Sequence, residues 1–169
     1  MSVKCRKRIS ASTRKSLRGT GEQSAALSAP GCGALNWRAI CKASSFFFRN
    51  RASLPARLVE LAILVTVRFW GAQYAWNAHE PRAVQVGLGP EVISAISAGR
   101  RPVFTHRDEA VVFDFCTQLQ EGRAVGDTTY EAALDVLGEQ GVVELTAVAG
   151  FYATVSMTVK VFDIPAAEG

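Results

Sequence analysis

The stretch from Leu58 to Trp70 constrains the fold of this chain more than any other. Ten of its thirteen residues are apolar, and the exceptions are Glu60, Thr66 and Arg68. A helix that is apolar on all sides lies in the interior of a domain, so a run of this length predicts a buried helix. A carboxylate in such a run requires a partner, because burying an unpaired charge is costly.

A candidate partner for Glu60 is His79, which lies beyond the turn predicted at Gly71. A rise of about 1.5 Å per residue places Glu60 about 16 Å before Gly71 and His79 about 12 Å after it. If the two helices run antiparallel, these side chains are nearly level with each other. The spacing therefore predicts that the carboxylate and the imidazole meet.

The other periodic segments of the chain are also predicted to be helices. No pair of alternating strands and no hairpin turn interrupts them, so the sequence predicts an all-α fold, one compact domain of six or seven helices. The predicted segments are Leu35 to Phe48, a helix opened by Pro55, one after Gly71 that kinks or restarts at Pro81, Pro90 to Gly99, one capped by Thr105 with Asp108, one capped by Thr128 with Glu131 and ended by Gly138, and Val142 to Phe162.

The segment from Val142 to Phe162 is rich in Val and Thr, whose propensities also allow a strand. Its length of some twenty residues without a turn signal favours a long buried helix. Ala147, Gly150, Thr154 and Met157 share one side of that helix and predict a small-residue packing face. Because charge interrupts both long apolar runs of the chain, they are interpreted as core helices rather than membrane spans.

Charge is divided unevenly along the chain. Residues 1–57 carry twelve Lys or Arg and one acid, whereas residues 58–169 carry seven basic and fourteen acidic residues. Residues 1–34 are basic, rich in Ser and Thr, and lack hydrophobic periodicity, which predicts a disordered tail ahead of a helical domain at residues 35–169. The high overall pI therefore gives no support for nucleic-acid binding by the domain.

Three interpretations of residues 1–34 stay open: a solvated tail or mis-assigned translation start, an organelle transit peptide, and a polyanion-binding arm. The composition, poor in acids and rich in Arg and Ser, is compatible with a transit peptide. No apolar segment of secretory type follows the basic start, so the expected location is cytoplasmic.

The four cysteines predict neither a metal site nor a disulfide framework. Cys5, Cys32, Cys41 and Cys116 form no CxxC pair and have no histidines at metal-ligand spacing. Cys116 lies in an apolar stripe and is expected in the core. His106, beside a predicted helix start, is expected to be a solvated surface residue.

Three segments together resemble the carboxymuconolactone decarboxylase and alkylhydroperoxidase D superfamily. They are LPARLVELAILVTVRFWGAQYAWNAHEP at residues 54–81, VGLGPEVISAISAGRRP at residues 86–102, and GVVELTAVAGFYATVSMTV at residues 141–159. The resemblance extends from about Trp37 to Pro165, and the order and spacing of the helices carry it more than any single motif. It implies the compact helical fold of that superfamily.

The redox branch of the superfamily carries a glutamate, a CxxC pair twelve residues later, and a histidine four residues after the second cysteine. Glu60 and His79 match the glutamate and the histidine, but Ala72 and Ala75 occupy the two cysteine positions. A thiol peroxidase requires a nucleophilic thiolate and a resolving thiol. Peroxidase activity is therefore disfavoured, since it would require cysteines from elsewhere in the chain.

The chain accordingly resembles the decarboxylase branch, which implies a lyase of aromatic compound catabolism that needs no metal or organic cofactor. The implied catalytic residues are Glu60 and His79, acting on a small carboxylated lactone or keto acid. Arg68, on the same predicted helix as Glu60, is the preferred cation for an anionic substrate, and Trp70, Tyr74 and Trp76 are candidate walls of its pocket. The family also implies a homo-oligomer, a trimer or a hexamer.

A structural interpretation of the same residues stays open. A buried glutamate that faces a histidine can simply brace two helices. Likewise, Trp70, Tyr74 and Trp76 can be core or interface residues. The third hypothesis is therefore a non-catalytic, oligomeric or ligand-binding member of the superfamily.

Overall fold

The structure is a computed structural model that describes residues 37–165, so the predicted tail at residues 1–34, with Cys5 and Cys32, lies outside the described residues. Within this range every regular element is a helix. The elements are α1 (Trp37–Asn50), α2 (Ala56–Phe69), α3 (Gln73–Gln85), α4 (Pro90–Ser97), α5 (Arg107–Gly122) and α6 (Asp127–Val161). The predicted all-α domain of six or seven helices is confirmed.

Helix α2 is the centre of the domain. All ten residues from Leu58 to Val67 are buried, which is the consequence of a helix that is apolar around its whole circumference. It packs against each of the other five described helices. Any polar side chain inside this run, Glu60 included, is therefore held in the interior of the fold.

The turn at Gly71 reverses the chain between α2 and α3. Gly71 has φ +60°, a left-handed conformation that glycine adopts without steric cost. The amide of Ala72 donates to the carbonyl of Val67, and the amide of Gly71 donates to that of Arg68. This pair of bonds is a Schellman motif, which satisfies the last carbonyls of α2 and folds α3 back against it.

At other positions the sequence signals for helix starts and breaks predicted the structure less well. Helix α3 continues through Pro81 to Gln85, so the expected restart at that proline is wrong. The two predicted capping boxes are also absent. Helix α5 follows His106 and α6 follows Gly126, and neither N-cap makes a side-chain hydrogen bond to the helix.

Helix α6 contains the last two predicted segments of the chain. They are two helices joined across a kink at Gly138, where the backbone leaves the helical conformation with φ +70° and ψ 172°, so the predicted break at this glycine is confirmed. The buried side of the second half carries Leu145, Val148, Tyr152 and Ser156, while the small-residue side is exposed. The small face was expected in the core and instead points outward, because the bulkier residues of the opposite face fill the space against α2.

By length and composition alone, α6 passes the test for a membrane span, the one described helix to do so. Its most apolar window is 44% buried inside the domain. A core helix of a globular protein passes the same test, and α6 packs against α1, α2, α3 and α5. Packing within the domain therefore accounts for the apolar residues on the buried side of α6.

Glu144 on α6 fastens the start of α2. Its Oε2 accepts hydrogen bonds from the Ser53 amide at 2.7 Å, the Ser53 hydroxyl at 2.8 Å and the Leu54 amide at 3.3 Å. Its Oε1 accepts from Gln140 Nε2 at 2.8 Å. Burial alone raises the pKa of Glu144, but these hydrogen bonds outweigh burial and hold the pKa below its ordinary value.

Candidate functional site

Glu60 and His79 meet in the interior between α2 and α3. The distance from His79 Nδ1 to Glu60 Oε2 is 2.7 Å, and the two residues are 3% and 5% exposed, respectively. The turn at Gly71 produces this meeting, since it places the two helices side by side with the two residues level. The expected contact between the two side chains is therefore observed.

The contact ties the roles of the two imidazole nitrogens to the charge of Glu60. When Glu60 is ionised it only accepts hydrogen bonds, so Nδ1 of His79 then donates its proton to the carboxylate. Among the described residues, none bonds to Nε2 of His79. The neutral ring thus presents Nε2 as a base, and the protonated ring presents it as an acid.

Within residues 37–165, no side chain bonds to Glu60 Oε1 or to His79 Nε2. Thr66 Oγ1, on the same helix as Glu60, is the one fully buried side-chain polar atom of the described residues without a hydrogen-bond partner. The pair therefore keeps one carboxylate oxygen and one ring nitrogen that the described residues do not use.

Tyr152 on α6 forms a third side of the site. Its ring meets the His79 ring edge to face, with 4.9 Å between the centroids and 86° between the planes. The residue is 6% exposed. Edge-to-face contact of this kind stabilises the orientation of both rings. Together with the bond to Glu60, it holds the imidazole in one plane.

The Tyr152 hydroxyl connects the site to nearby cations. Burial raises the pKa of this phenol far above its ordinary value, and the charge of Glu60 raises it further. Arg49, a hydrogen bond with Ser45 and the charge of Arg82 offset part of that rise. Tyr152 is consequently a neutral hydrogen-bonding group at neutral pH, and the cations near it are Arg49 and Arg82.

Ala72 and Ala75 lie at the two positions that the sequence resemblance matches to the cysteines of the redox branch. Both are buried, and Ala75 lies one turn before His79 on the same face of α3. Alanine carries no nucleophile, so these two positions offer no thiol chemistry.

The cysteines that the structure describes do not replace the missing thiols. Cys41 and Cys116 are free and buried. Burial raises the pKa of Cys41 to about 11 and that of Cys116 to about 12, so neither is a thiolate at neutral pH. Cys116 is a core residue, as expected.

The structure does not bring Arg68 to the pair. Arg68 lies eight residues after Glu60 on α2, about 12 Å along the helix axis. It is exposed, and its Nε donates to the carbonyl of Ser97 at 2.8 Å. Trp70 also points elsewhere, since its Nε1 donates to Gln120 Oε1 at 3.1 Å.

The remaining aromatic candidates have different surroundings. Trp76 is buried and belongs to the hydrophobic core. Tyr74 is half-buried, and burial raises its pKa. Neither has a hydrogen bond or ring contact to the pair among the described residues. A role for Tyr74 or Trp76 in substrate binding therefore stays a prediction.

Sequence reasoning missed Tyr152, the residue of α6 whose ring contacts His79. The spacing of Leu145, Tyr152 and Ser156 places them on one face of α6, but periodicity alone did not show which face of this helix is buried. Within the described residues, no group of three or more His, Cys, Asp or Glu side chains is arranged to hold a metal ion. The candidate site is thus a carboxylate and an imidazole in contact, with a phenol ring packed against the imidazole.

The fold has a solved counterpart. A protein of unknown function from Agrobacterium tumefaciens, described as a candidate antioxidant defence protein AhpD, superposes with a TM-score of 0.71 over 79% of this chain and 92% of that chain. The sequences are 15% identical, so the likeness establishes the fold alone. The chain adopts the alkylhydroperoxidase D-like fold, as the sequence resemblance implied. No family model matches the sequence, and no curated protein matches it significantly.

Proposed function

We propose that this protein is a cofactor-free lyase of the carboxymuconolactone decarboxylase type, acting on a small carboxylated lactone or keto acid. The observation that carries the proposal is the buried Glu60 and His79 pair, in which one carboxylate oxygen and one ring nitrogen have no partner among the described residues. The replacement of the thiol positions by Ala72 and Ala75 favours this chemistry over peroxide reduction.

In the proposed reaction, the bond between the substrate and its carboxylate breaks and CO₂ leaves. The electron pair left behind passes through the conjugated double bond to the carbonyl oxygen. Protonated His79 then delivers a proton from Nε2 to carbon as general acid, while Glu60 stabilises the imidazolium through Nδ1. Solvent returns the proton to Nε2, so atoms and charge balance.

The substrate carboxylate needs a cation, and the structure offers candidates other than Arg68. Arg82 lies three residues after His79, one turn along α3, and is half-buried. Both Arg82 and Arg49 act electrostatically on the Tyr152 hydroxyl. We therefore assign the substrate carboxylate to Arg82 and Arg49, with Tyr152 orienting the imidazole.

We also propose that the protein is a homo-oligomer that associates through the exposed side of α6. The residues of this side are uncharged and follow one another at alternating intervals of four and three, the spacing of a helix-packing seam. They are Val143, Ala147, Gly150, Thr154, Met157 and Val161. Light scattering should show that the wild type is a trimer or a hexamer. Gly150→Glu should dissociate this oligomer, because it places a charge in the seam. A wild type that is monomeric at micromolar concentration contradicts the proposed association.

The lyase assignment is tested by measuring CO₂ release from a panel of small carboxylated lactones and keto acids. At least one should be consumed by the wild type, and His79→Ala should abolish that turnover. Glu144→Gln is the matched control, since it alters a buried carboxylate whose hydrogen bonds go to Ser53, Leu54 and Gln140 and not to the imidazole. Identical rates for wild type and His79→Ala, or no turnover of any acid, would leave a non-catalytic ligand-binding role.

A further inference from the structure

A second concavity lies away from the Glu60 and His79 pair. It is a groove of about 570 Å³ between the last turn of α2, the loop after α4, and the middle of α5. Three arginines line it: Arg68, Arg100 and Arg101. Apolar side chains, among them Val65 and Phe113, form its floor. The groove thus combines positive charge with an apolar surface.

The guanidinium of Arg68 is anchored at one point and free at the others. Its Nε donates to the carbonyl of Ser97, which fixes the direction of the group. Gly99 lies beside the guanidinium, since a Cβ built there would be in ordinary van der Waals contact with Nη2, at 3.5 Å. No carboxylate within residues 37–165 pairs with Arg68. Its terminal nitrogens are therefore available to a planar oxyanion.

The other two arginines of the groove, Arg100 and Arg101, differ in whether a carboxylate pairs with them. Arg101 is neutralised by Asp114, to which it donates through Nε at 3.0 Å and Nη2 at 2.8 Å. Arg100 is exposed and has no carboxylate partner among the described residues. Two of the three arginines, Arg68 and Arg100, thus have no carboxylate partner among the described residues. Glu121 also lines the groove and supplies one negative charge there.

We propose that this groove binds a small molecule with one oxyanion, a carboxylate or a phosphate, on an apolar body. Arg68 and Arg100 hold the oxyanion, and the floor near Val65 and Phe113 takes the apolar part. Pre-positioning of Arg68 by Ser97 reduces the entropy that binding must overcome. The site is separate from the proposed catalytic pair and does not depend on its activity.

Calorimetric titration with benzoate, phenyl phosphate and benzyl alcohol tests this proposal. The wild type should bind at least one of the two anions with a Kd of about 1 mM or tighter, and should not bind the neutral alcohol. Stronger binding of benzoate identifies a carboxylate site, and stronger binding of phenyl phosphate identifies a phosphate site. His79→Ala should bind as the wild type does, which separates this site from the lyase proposal.

The double variant Arg68→Gln with Arg100→Gln should weaken binding about tenfold or more, because charge-assisted hydrogen bonds are lost. Arg100→Gln alone removes no protein contact and should give part of that loss in a normally folded protein. Arg123→Gln, an exposed arginine outside the groove, is the matched control. Absence of saturable binding, equal binding of the alcohol, or a change of oligomeric state in Arg100→Gln would overturn the proposal.

Discussion

Two buried glutamates of this domain, Glu60 and Glu144, have equal exposure and opposite surroundings. Each is 5% exposed and lies at a junction between helices. Glu144 accepts four hydrogen bonds, from Ser53, Leu54 and Gln140. Glu60 accepts one, from His79. A carboxylate offers about four acceptor positions, so Glu144 is saturated whereas Glu60 is not.

This difference separates a structural group from a candidate reactive one. The donors around Glu144 fix the entry to α2 and leave that carboxylate nothing further to bind. Glu60 keeps one oxygen, and its partner His79 keeps one nitrogen, without a partner among the described residues. Burial alone would not distinguish the two glutamates, but the number of their hydrogen-bond donors does.

The largest expected effect is on activity at the unsaturated site. His79→Ala removes the proton donor and should lower kcat by about 10²- to 10⁴-fold on any substrate that the wild type decarboxylates. Glu60→Gln should also lower kcat strongly, because an amide does not stabilise the imidazolium. Steady-state kinetics measure both. Unchanged kcat in both variants would show that Glu60, like Glu144, only stabilises the fold.

The next effect is on stability at the saturated site. Glu144→Gln should lower the free energy of unfolding by about 2 kcal/mol, because it weakens charge-assisted hydrogen bonds to Ser53 and Leu54. Denaturant unfolding measures this loss, and activity per folded molecule should not change. A stable Glu144→Gln variant with reduced activity would reverse the assignment of the two glutamates.

Acidification tests the same carboxylate without a mutation. The pKa of Glu144 is depressed in the folded state, so its contribution to stability is complete above the ordinary value of about 4.3 and is lost as pH falls through the lower folded pKa. Wild-type stability should therefore decline below about pH 4 more steeply than that of Glu144→Gln. Parallel pH profiles for the two proteins would show that Glu144 is not held ionised by its donors.

A smaller effect is expected at the turn that brings the pair together. Gly71→Ala places a Cβ on a residue with φ +60° and should destabilise the protein by about 1 to 2 kcal/mol. Gly138, with φ +70° and open space around it, is the matched control near Glu144. Both variants should lower the melting temperature, but only Gly71→Ala should also reduce turnover. Equal turnover in the two variants would show that the geometry of the Gly71 turn does not affect the activity of the Glu60 and His79 pair.

The smallest effect is expected at Tyr152. Tyr152→Phe removes one hydrogen bond of about 1 kcal/mol but keeps the ring edge against His79, so the pH profile of kcat should retain its shape. Tyr152→Leu removes the ring and should shift that profile, since the imidazole loses its packing partner. Identical profiles in both variants would assign Tyr152 to the core alone.

The centre of the fold could be predicted because its signals act locally. The apolar circumference of α2, the glycine turn at Gly71 and the rise of a helix are sufficient to place Glu60 opposite His79. Helix starts were harder to predict, since tertiary contacts compete with capping. Asp108, expected in a capping box, instead pairs with Arg57 on α2.

The rest of the site depended on which face of α6 is buried. Both faces are apolar, so periodicity did not distinguish the face with Tyr152 from the face with Gly150. Arg68, the cation preferred from the sequence, does not reach the pair, because a position on the same helix as Glu60 does not give a side chain the same direction. Arg68 is rotated away and is held by Ser97, a contact between residues far apart in the sequence.

A crystal structure of the protein soaked with a small carboxylated lactone tests the central claim most directly. If Glu60 and His79 form a reactive site, the ligand should lie within about 3 Å of His79 Nε2. Its carboxylate should then face Arg82 or Arg49. A structure in which Nε2 is sealed from solvent, or in which the ligand occupies only the groove beside Arg68, would contradict the assignment of the pair as the reactive centre.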